Sequence, residues 1–256
     1  MAVRIPEIAR ENGPIAANRA RVALSAFFNW AMREGLSHTN PVIGTNRAAD
    51  ERSRHRVLTD DELAAIWRAC RDDDYGRIVR LLILTGQRRE EVGGVAVNEL
   101  NSARTWTIPA DRTKNGRPHE VPLPPSASEI LKSAQMAIGS GFLFGEGRGS
   151  FQGWSKAKAA LDRRIAVQGD PIGEWRLHDI RRTVATRTAE LGVQPHVVEA
   201  ILNHVSGHKA GVAGVYNRAL YAVEKRQALE LWNEHVRALL ERDSAPVIPL
   251  RIESAA

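Results

Sequence analysis

Apolar residues recur at helical spacing between positions 15 and 36, where Ala17, Val22, Leu24, Phe27, Phe28, Ala31 and Met32 form a stripe that largely excludes Arg19, Arg21 and Arg33. The spacing predicts an amphipathic helix, and Asn40-Pro41 is a helix stop beyond it. Residues 46–57 are polar and charged, with no large apolar side chain before Val57, and read as a linker. Beyond it, Thr59-Asp60-Asp61-Glu62 is a capping box that opens a helix over Asp60–Arg71. A second helix, Tyr75–Thr85, is apolar on more than one face and so buried, and it ends at Gly86. Between Thr105 and Leu123 the period changes. TWTIP and HEVPL alternate like strands, and Asn115-Gly116 between them is a strong hairpin signal, which predicts a small antiparallel sheet. Helical patterns resume at Ser126–Ala137, Gln152–Val167, His178–Leu191, Pro195–Asn203 and Ala222–Glu241. The expected class is α+β, mostly α: a partial helical domain over 1–45, the linker, a main domain over 58–242, and a tail over 243–256.

The chain has 256 residues, 43% hydrophobic and 26% charged, and no apolar run approaches the roughly 20 residues a bilayer helix needs. No membrane partner is expected. The opening MAVRIPEIAR carries charge where a signal peptide needs an apolar stretch, so the expected location is the cytoplasm. Lys+Arg number 36 against 30 Asp+Glu, for a net +6. That balance suits an anionic partner such as DNA, RNA or acidic lipid. Six of the 36 cations are lysine. The rest are arginine, whose planar fork grips phosphate at two points, although high genomic GC content produces the same bias. Up to Val57 there are nine Lys/Arg and five Asp/Glu, net +4, against 27 and 25, net +2, in the remaining 199 residues. A positively charged linker can lie along a polyanion. The lone Cys70 permits no internal disulfide and no cysteine-based zinc site, and its helical spacing from Leu63, Ile66 and Trp67 predicts a buried thiol.

Several residues carry candidate chemistry, each with a plainer reading beside it. Arg88 follows a buried helix and a glycine in TGQRREE, with Glu91 three residues on; an ion-paired structural arginine is the default. His178 and Arg181 share a helix face, a common arrangement. Lys114 sits beside Asn115-Gly116, where a solvated turn lysine is expected. His204 follows PHVVEAILN, and Tyr216 in GVYNR is one of three tyrosines, most of which serve packing. His196, His204 and His208 invite a metal reading, but Val205-Ser206-Gly207 supplies no acid and the helical zinc motif is not matched.

The order of these residues is more specific than any one of them. LLILTGQRREEVGGV, TKNGRPHEVPL, LHDIRRTVATRTAELGV, AILNHVSG and GVYNR together resemble the tyrosine recombinase (phage integrase) family, and LNHVSG followed by YNRALYAVEKRQALELW resembles its P4-like prophage branch. The likeness runs from about Val57 to Arg242. It implies Arg88, Lys114, His178, Arg181, His204 and Tyr216 as catalytic residues, with Glu91 in support. It also implies attachment sites on double-stranded DNA, a homotetramer on that DNA, accessory DNA-bending proteins, the bacterial nucleoid as workplace, and no metal or cofactor.

The residue types suit that chemistry. Two guanidinium forks, Arg88 and Arg181, can bind the non-bridging oxygens of a pentavalent phosphorus without a metal. A phenol with a pKa near 10 needs a cation and a base before Tyr216 can attack, and His178 is the candidate base. The leaving 5′ oxygen needs a proton, for which Lys114 is suited. His204 would donate to a phosphate oxygen, and Glu91 would orient a neighbour. The implied product is a 3′-phosphotyrosyl link with a free 5′-hydroxyl, which a second strand can reseal without ATP. Tyr221 is the rival nucleophile, ranked lower because the motif places the nucleophile in YNR.

Only NRARVALSAFFNWAMREGLSHTNPV resembles the closing helices of the family's core-binding domain, and no leading helices or arm-binding domain are matched. The expectation is a truncated sequence or a shortened prophage remnant with weaker DNA binding, because fewer phosphate contacts remain. Three rivals stay open: a type IB topoisomerase, a DNA-binding remnant without recombination, and a basic structural protein. The stripe Leu229, Trp232, Val236 and Leu239 fits either packing within its own domain or docking on a neighbour, and the tail PVIPLRI either adds a strand in trans or is disordered.

Overall fold

Helices α3 (Asp60–Ala69) and α4 (Asp74–Thr85) show how closely this chain follows its local signals. Thr59 Oγ1 accepts from the Glu62 amide at 3.2 Å and Glu62 Oε2 accepts from the Thr59 amide at 2.9 Å, so the capping box is closed in both directions. Asp73 caps α4 by accepting from the Gly76 amide at 2.8 Å. At Gly76 a side chain is excluded, since a Cβ there would lie 2.0 Å from the Arg71 carbonyl oxygen. The α4 face made by Ile78, Val79, Leu81, Leu82, Ile83 and Leu84 is wholly buried, and Gly86 terminates the helix in the left-handed conformation, φ +64°.

These details come from a computed structural model, which describes residues 4–50, 55–101, 103–134, 141–145, 149–169, 172–204 and 221–242. The chain divides into two units, Met1–His55 and Arg56–Ala256. The second continues with a short helix α5 (Arg89–Gly93) and three strands, β1 (Leu100–Asn101), β2 (Thr105–Ile108) and β3 (His119–Pro122). They form an antiparallel sheet in the order β1-β2-β3, with Trp106 opposite Val121 and Ile108 opposite His119. Among the described residues five further helices follow: α6 (Pro125–Ser133), α7 (Trp154–Val167), α8 (Leu177–Glu190), α9 (Pro195–Ile201) and α10 (Ala222–Arg242). The mostly helical class with one small sheet is as expected.

The expected hairpin forms, with Asn115-Gly116 inside its connection. The β2-β3 connection runs over residues 109–118, contains a 3₁₀ turn at Ala110–Arg112, and is organised by Thr113, whose Oγ1 accepts from the Arg117 amide at 3.1 Å. Gly116 takes the left-handed conformation that its residue type favours, φ +66°. A helix at the front, α1 (Arg4–Asn12), was missed because it is short and polar, and Gly13 separates it from α2 (Pro14–Arg33). The stripe on α2 is also only partly a core face. Ala17 and Ala31 are buried, and Leu24 and Phe28 pack on a small cluster with Ile5 and Val42, but Val22, Phe27 and Met32 are exposed, because α1 covers only one side of α2. Part of the expected linker is tied to this unit: Asn18 donates to the Ala49 carbonyl and accepts from the Ala48 amide, both at 2.8 Å.

The main core lies between α3, α4, α6, α8, α9, α10 and the inner face of the sheet. Leu229, Trp232 and Val236 of the α10 stripe belong to it, Leu239 is buried as well, and the Trp232 indole N–H donates to the Ile83 carbonyl at 2.7 Å. That half of the docking question is settled in favour of packing within the same unit. The tail over 243–256 lies outside the described residues. Cys70 is buried, and desolvation pushes its thiol up to about 12, so it is an inert core group. Among the described residues, no helix is long and apolar enough to cross a membrane.

Candidate active site

Gly86 turns the chain out of α4 so that Arg88 arrives extended, at the N-cap of α5. Glu91, on the first turn of that helix, accepts from the Arg88 backbone N–H at 3.0 Å and from Arg88 Nη1 at 2.9 Å. Glu91 is only 2% exposed, whereas the Arg88 side chain keeps 22% exposure. A buried carboxylate therefore anchors one edge of the guanidinium, and Glu91 leaves its other donors unengaged. The expectation that Glu91 supports a neighbour has a geometric counterpart in this pairing.

Arg181 comes from α8, whose N-terminus is set by Asp179. That buried carboxylate accepts from the Arg176 backbone N–H at 2.9 Å and from Arg182 Nη1 at 2.9 Å. Arg181 itself is buried, with Nη1 donating to the Gly86 carbonyl at 2.9 Å and Nη2 donating to the Leu202 carbonyl. Burial, helped by repulsion from Arg88 and opposed by Glu91, lowers its pKa to about 10, which leaves it a cation at neutral pH. His178, one turn earlier on the same helix, is held below the usual histidine range by partial burial, then by Arg182 and Arg181, with Asp179 pulling the other way and Arg88 adding to the depression. Its neutral form is favoured, which suits a group that accepts a proton.

Arg88, Lys114, His178 and Arg181 line one cavity of about 490 Å³, together with Gln87 and with Trp154 and Trp175 as apolar walls. Four residues from three segments far apart in sequence thus meet around a space of one phosphate and its neighbours, with cations on most sides and, among the described lining residues, no carboxylate. Lys158 stacks its ammonium 3.9 Å from the Trp175 ring centroid and pairs with Asp162 at 2.6 Å. His204 is exposed, sits after the turn that ends α9, and donates its backbone N–H to Glu199 at 3.0 Å; it is not among the residues lining the cavity. Tyr216 lies outside the described residues. Tyr221 does not line the cavity; it caps α10 at φ +49°, its carbonyl accepts from the Lys225 amide at 2.8 Å, and its ring lies 5.0 Å from that of His196.

Sequence reasoning missed Gln87, Trp154, Trp175 and His119. Gln87 is buried, and its Nε2 donates to the carbonyls of Thr85 and Ile201, both at 2.9 Å. Its position directly before Arg88 was the available signal. The tryptophans carry no motif, since aromatic spacing reads alike for core and cavity wall.

The comparisons with known proteins converge on one family. Residues 56–221, more than half of the chain, match the model of the phage integrase family. Prophage integrase IntZ of Escherichia coli K12 is 28% identical over 247 residues, an overlap of 92% of this chain, and the chain spans 59% of the length of that relative. Among solved structures, a lambda integrase(75–356) dimer bound to a COC′ core site superposes with a TM-score of 0.59 at 22% identity, over 80% of this chain and 77% of that one. A lambda integrase tetramer bound to a Holliday junction gives 0.57 at 22% identity, over 80% and 63%. The family match covers the whole segment that carries the clustered arginines, lysine and histidine, and the chain belongs to the phage integrase family.

Proposed function

We propose that this protein is a site-specific DNA recombinase that cuts and rejoins double-stranded DNA through a covalent 3′-phosphotyrosyl intermediate at Tyr216, without metal or ATP. The observation that carries the reading is the convergence of Arg88, Lys114, His178 and Arg181 on one cavity. The Tyr216 phenolic oxygen attacks the phosphorus and passes its proton to neutral His178. The two arginines neutralise charge on the non-bridging oxygens, Arg88 through donors not engaged by Glu91 and Arg181 through guanidinium N–H groups beyond the two that hold the Gly86 and Leu202 carbonyls. The bond from phosphorus to the 5′ oxygen breaks, and Lys114 supplies the proton that makes the free 5′-hydroxyl. His204 donates to a phosphate oxygen. Attack by another strand's 5′-hydroxyl reverses these steps and reseals the DNA. A tetramer on two DNA sites, the assembly in which lambda integrase has been seen on a Holliday junction, is the proposed working form, in the bacterial cytoplasm at the nucleoid.

The test is incubation of the 256-residue chain with nicked duplexes of randomised core sequence, followed by a denaturing gel. A covalent protein-DNA adduct that Tyr216→Phe abolishes is the expected result. An adduct lost only in Tyr221→Phe would move the nucleophile, and no adduct would leave a DNA-binding protein without recombination. Strand exchange against simple relaxation of supercoils separates recombinase from topoisomerase.

A further inference from the structure

Helix α9 ends with carbonyls that have no helical partner, a general property of helix C-termini, and here side chains from three distant segments take them up. The Ile201 carbonyl lies 2.9 Å from both Gln87 Nε2 and His119 Nε2, and the Leu202 carbonyl accepts from Arg181 Nη2. The next residue, Asn203, is left-handed at φ +47°. Its side chain pairs with that of Asn115: Asn115 Nδ2 donates to Asn203 Oδ1 at 2.7 Å, and Asn203 Nδ2 donates to Asn115 Oδ1 at 3.3 Å. Asn115 directly follows Lys114, on the loop between β2 and β3. Asn203 directly precedes His204.

We propose that the Asn115–Asn203 amide pair is a positioning pair, which docks the loop carrying Lys114 onto the turn that Arg181 already grips. The inference rests on the recombinase reading above. The turn after α9 is then a common reference for two groups of the cavity: Arg181 holds it through Leu202, and Lys114 is registered to it through Asn115. A lysine has four rotatable bonds and reaches many places from a free loop. Docking its neighbour by two reciprocal hydrogen bonds narrows that range before any ligand arrives, and pre-placing a reacting group is worth far more in rate than the bonds are worth in stability. The asparagine pair is also neutral, so it adds no competing charge beside a phosphate site.

The test uses Asn115→Ala, Asn203→Gly, which keeps the left-handed backbone, and the double variant. Single-turnover adduct formation is measured on nicked duplexes with an ordinary 5′ oxygen leaving group and on the same duplexes with a bridging 5′ sulfur. A thiolate leaves without a proton, so the sulfur substrate does not need Lys114 to be in place. Each single variant is expected to cleave the oxygen substrate roughly tenfold more slowly, the double variant no more slowly than the singles, and all three to approach wild-type rates on sulfur. Melting temperature and DNA affinity, measured alongside, should stay near wild type. Wild-type rates on oxygen, additive losses, or equal losses on both substrates would overturn the positioning role while leaving the recombinase reading intact. No adduct from the wild-type chain on either substrate would overturn both.

Discussion

His119 and Ile201, 82 positions apart, meet at 2.9 Å, the Nε2 of the buried imidazole against the carbonyl at the end of α9. Gln87 donates to the same oxygen, so both lone pairs of that carbonyl are used and His119 carries its proton on Nε2. Burial, with Lys225 nearby, lowers the pKa of this histidine to about 3. The folded state therefore resists a second proton that the unfolded chain accepts at about 6.5. The stabilising contribution is complete above pH 6.5 and is lost as pH falls from there toward 3. The slope is about 1.4 kcal/mol per pH unit for one proton. His119→Gln keeps an N–H donor and removes the titration, so urea unfolding at pH 7, 6 and 5 should show wild type losing stability against the variant by about half that amount between pH 7 and 6 and close to that amount between pH 6 and 5. Parallel pH profiles for the two proteins would rule the account out.

Gly86 links the end of α4 to the site. Its carbonyl accepts from Arg181, its φ is +64°, and a Cβ placed on it would sit 3.0 Å from Val184 Cγ1 and 3.1 Å from Leu202 Cδ2. Gly86→Ala meets both a disfavoured backbone region and a crowded space. A loss of about 1 to 3 kcal/mol in denaturant unfolding is expected, with adduct formation falling further than the stability loss explains because the arginine's acceptor moves. A variant as stable and as active as wild type would show that the turn relaxes freely.

How much of this was legible in the sequence depends on the range over which each signal acts. The Thr59 capping box, the Gly86 stop and the inward alternation of Trp106 and Ile108 are local, and each appears where its residues predicted. Arg88, Lys114, His178 and Arg181 were singled out by the order of their motifs, and folding brings the four to one cavity. What escaped was the framework behind them. Nothing in TGQRRE says that Gln87 will reach the end of α9, and nothing in KNGRPH says that Asn115 will pair with Asn203, because both partners lie about a hundred residues away. The α2 stripe failed for a related reason: periodicity marks an apolar face, but only tertiary neighbours decide whether it is covered.

Helix α10 offers a test of that distinction. Trp232 is fully buried and its indole N–H is bonded to the Ile83 carbonyl on α4, so its contribution is internal to this unit. Trp232→Ala should destabilise by about 3 to 5 kcal/mol through the cavity and the orphaned carbonyl. Leu231, its neighbour in sequence and 45% exposed, should tolerate alanine within about 0.5 kcal/mol. Thermal melts of the two variants at several protein concentrations check both statements, and a concentration-dependent loss in Trp232→Ala would point to a contact between copies instead.

The two arginines of the cavity are held in different ways, which makes their lysine variants diverge. Arg88 is half anchored: one Nη bonds to Glu91, and the side chain keeps 22% exposure. A lysine there keeps the charge against a 2% exposed carboxylate, so Arg88→Lys should fold normally while losing two-point recognition of phosphate. Arg181 is buried and spans from the Gly86 carbonyl to the Leu202 carbonyl, a reach that a single ammonium does not cover. Arg181→Lys should therefore lose stability, about 1 to 3 kcal/mol for the carbonyl left unsatisfied, as well as activity. Both variants should form adduct at least roughly a hundredfold more slowly, the scale on which a removed oxyanion donor acts. DNA affinity should fall far less in Arg88→Lys than its cleavage rate does, since much of binding comes from phosphates elsewhere. The decisive comparison is unfolding free energy beside single-turnover cleavage for the two variants. Equal destabilisation would contradict the different anchoring, and wild-type cleavage by either would remove that arginine from the chemistry.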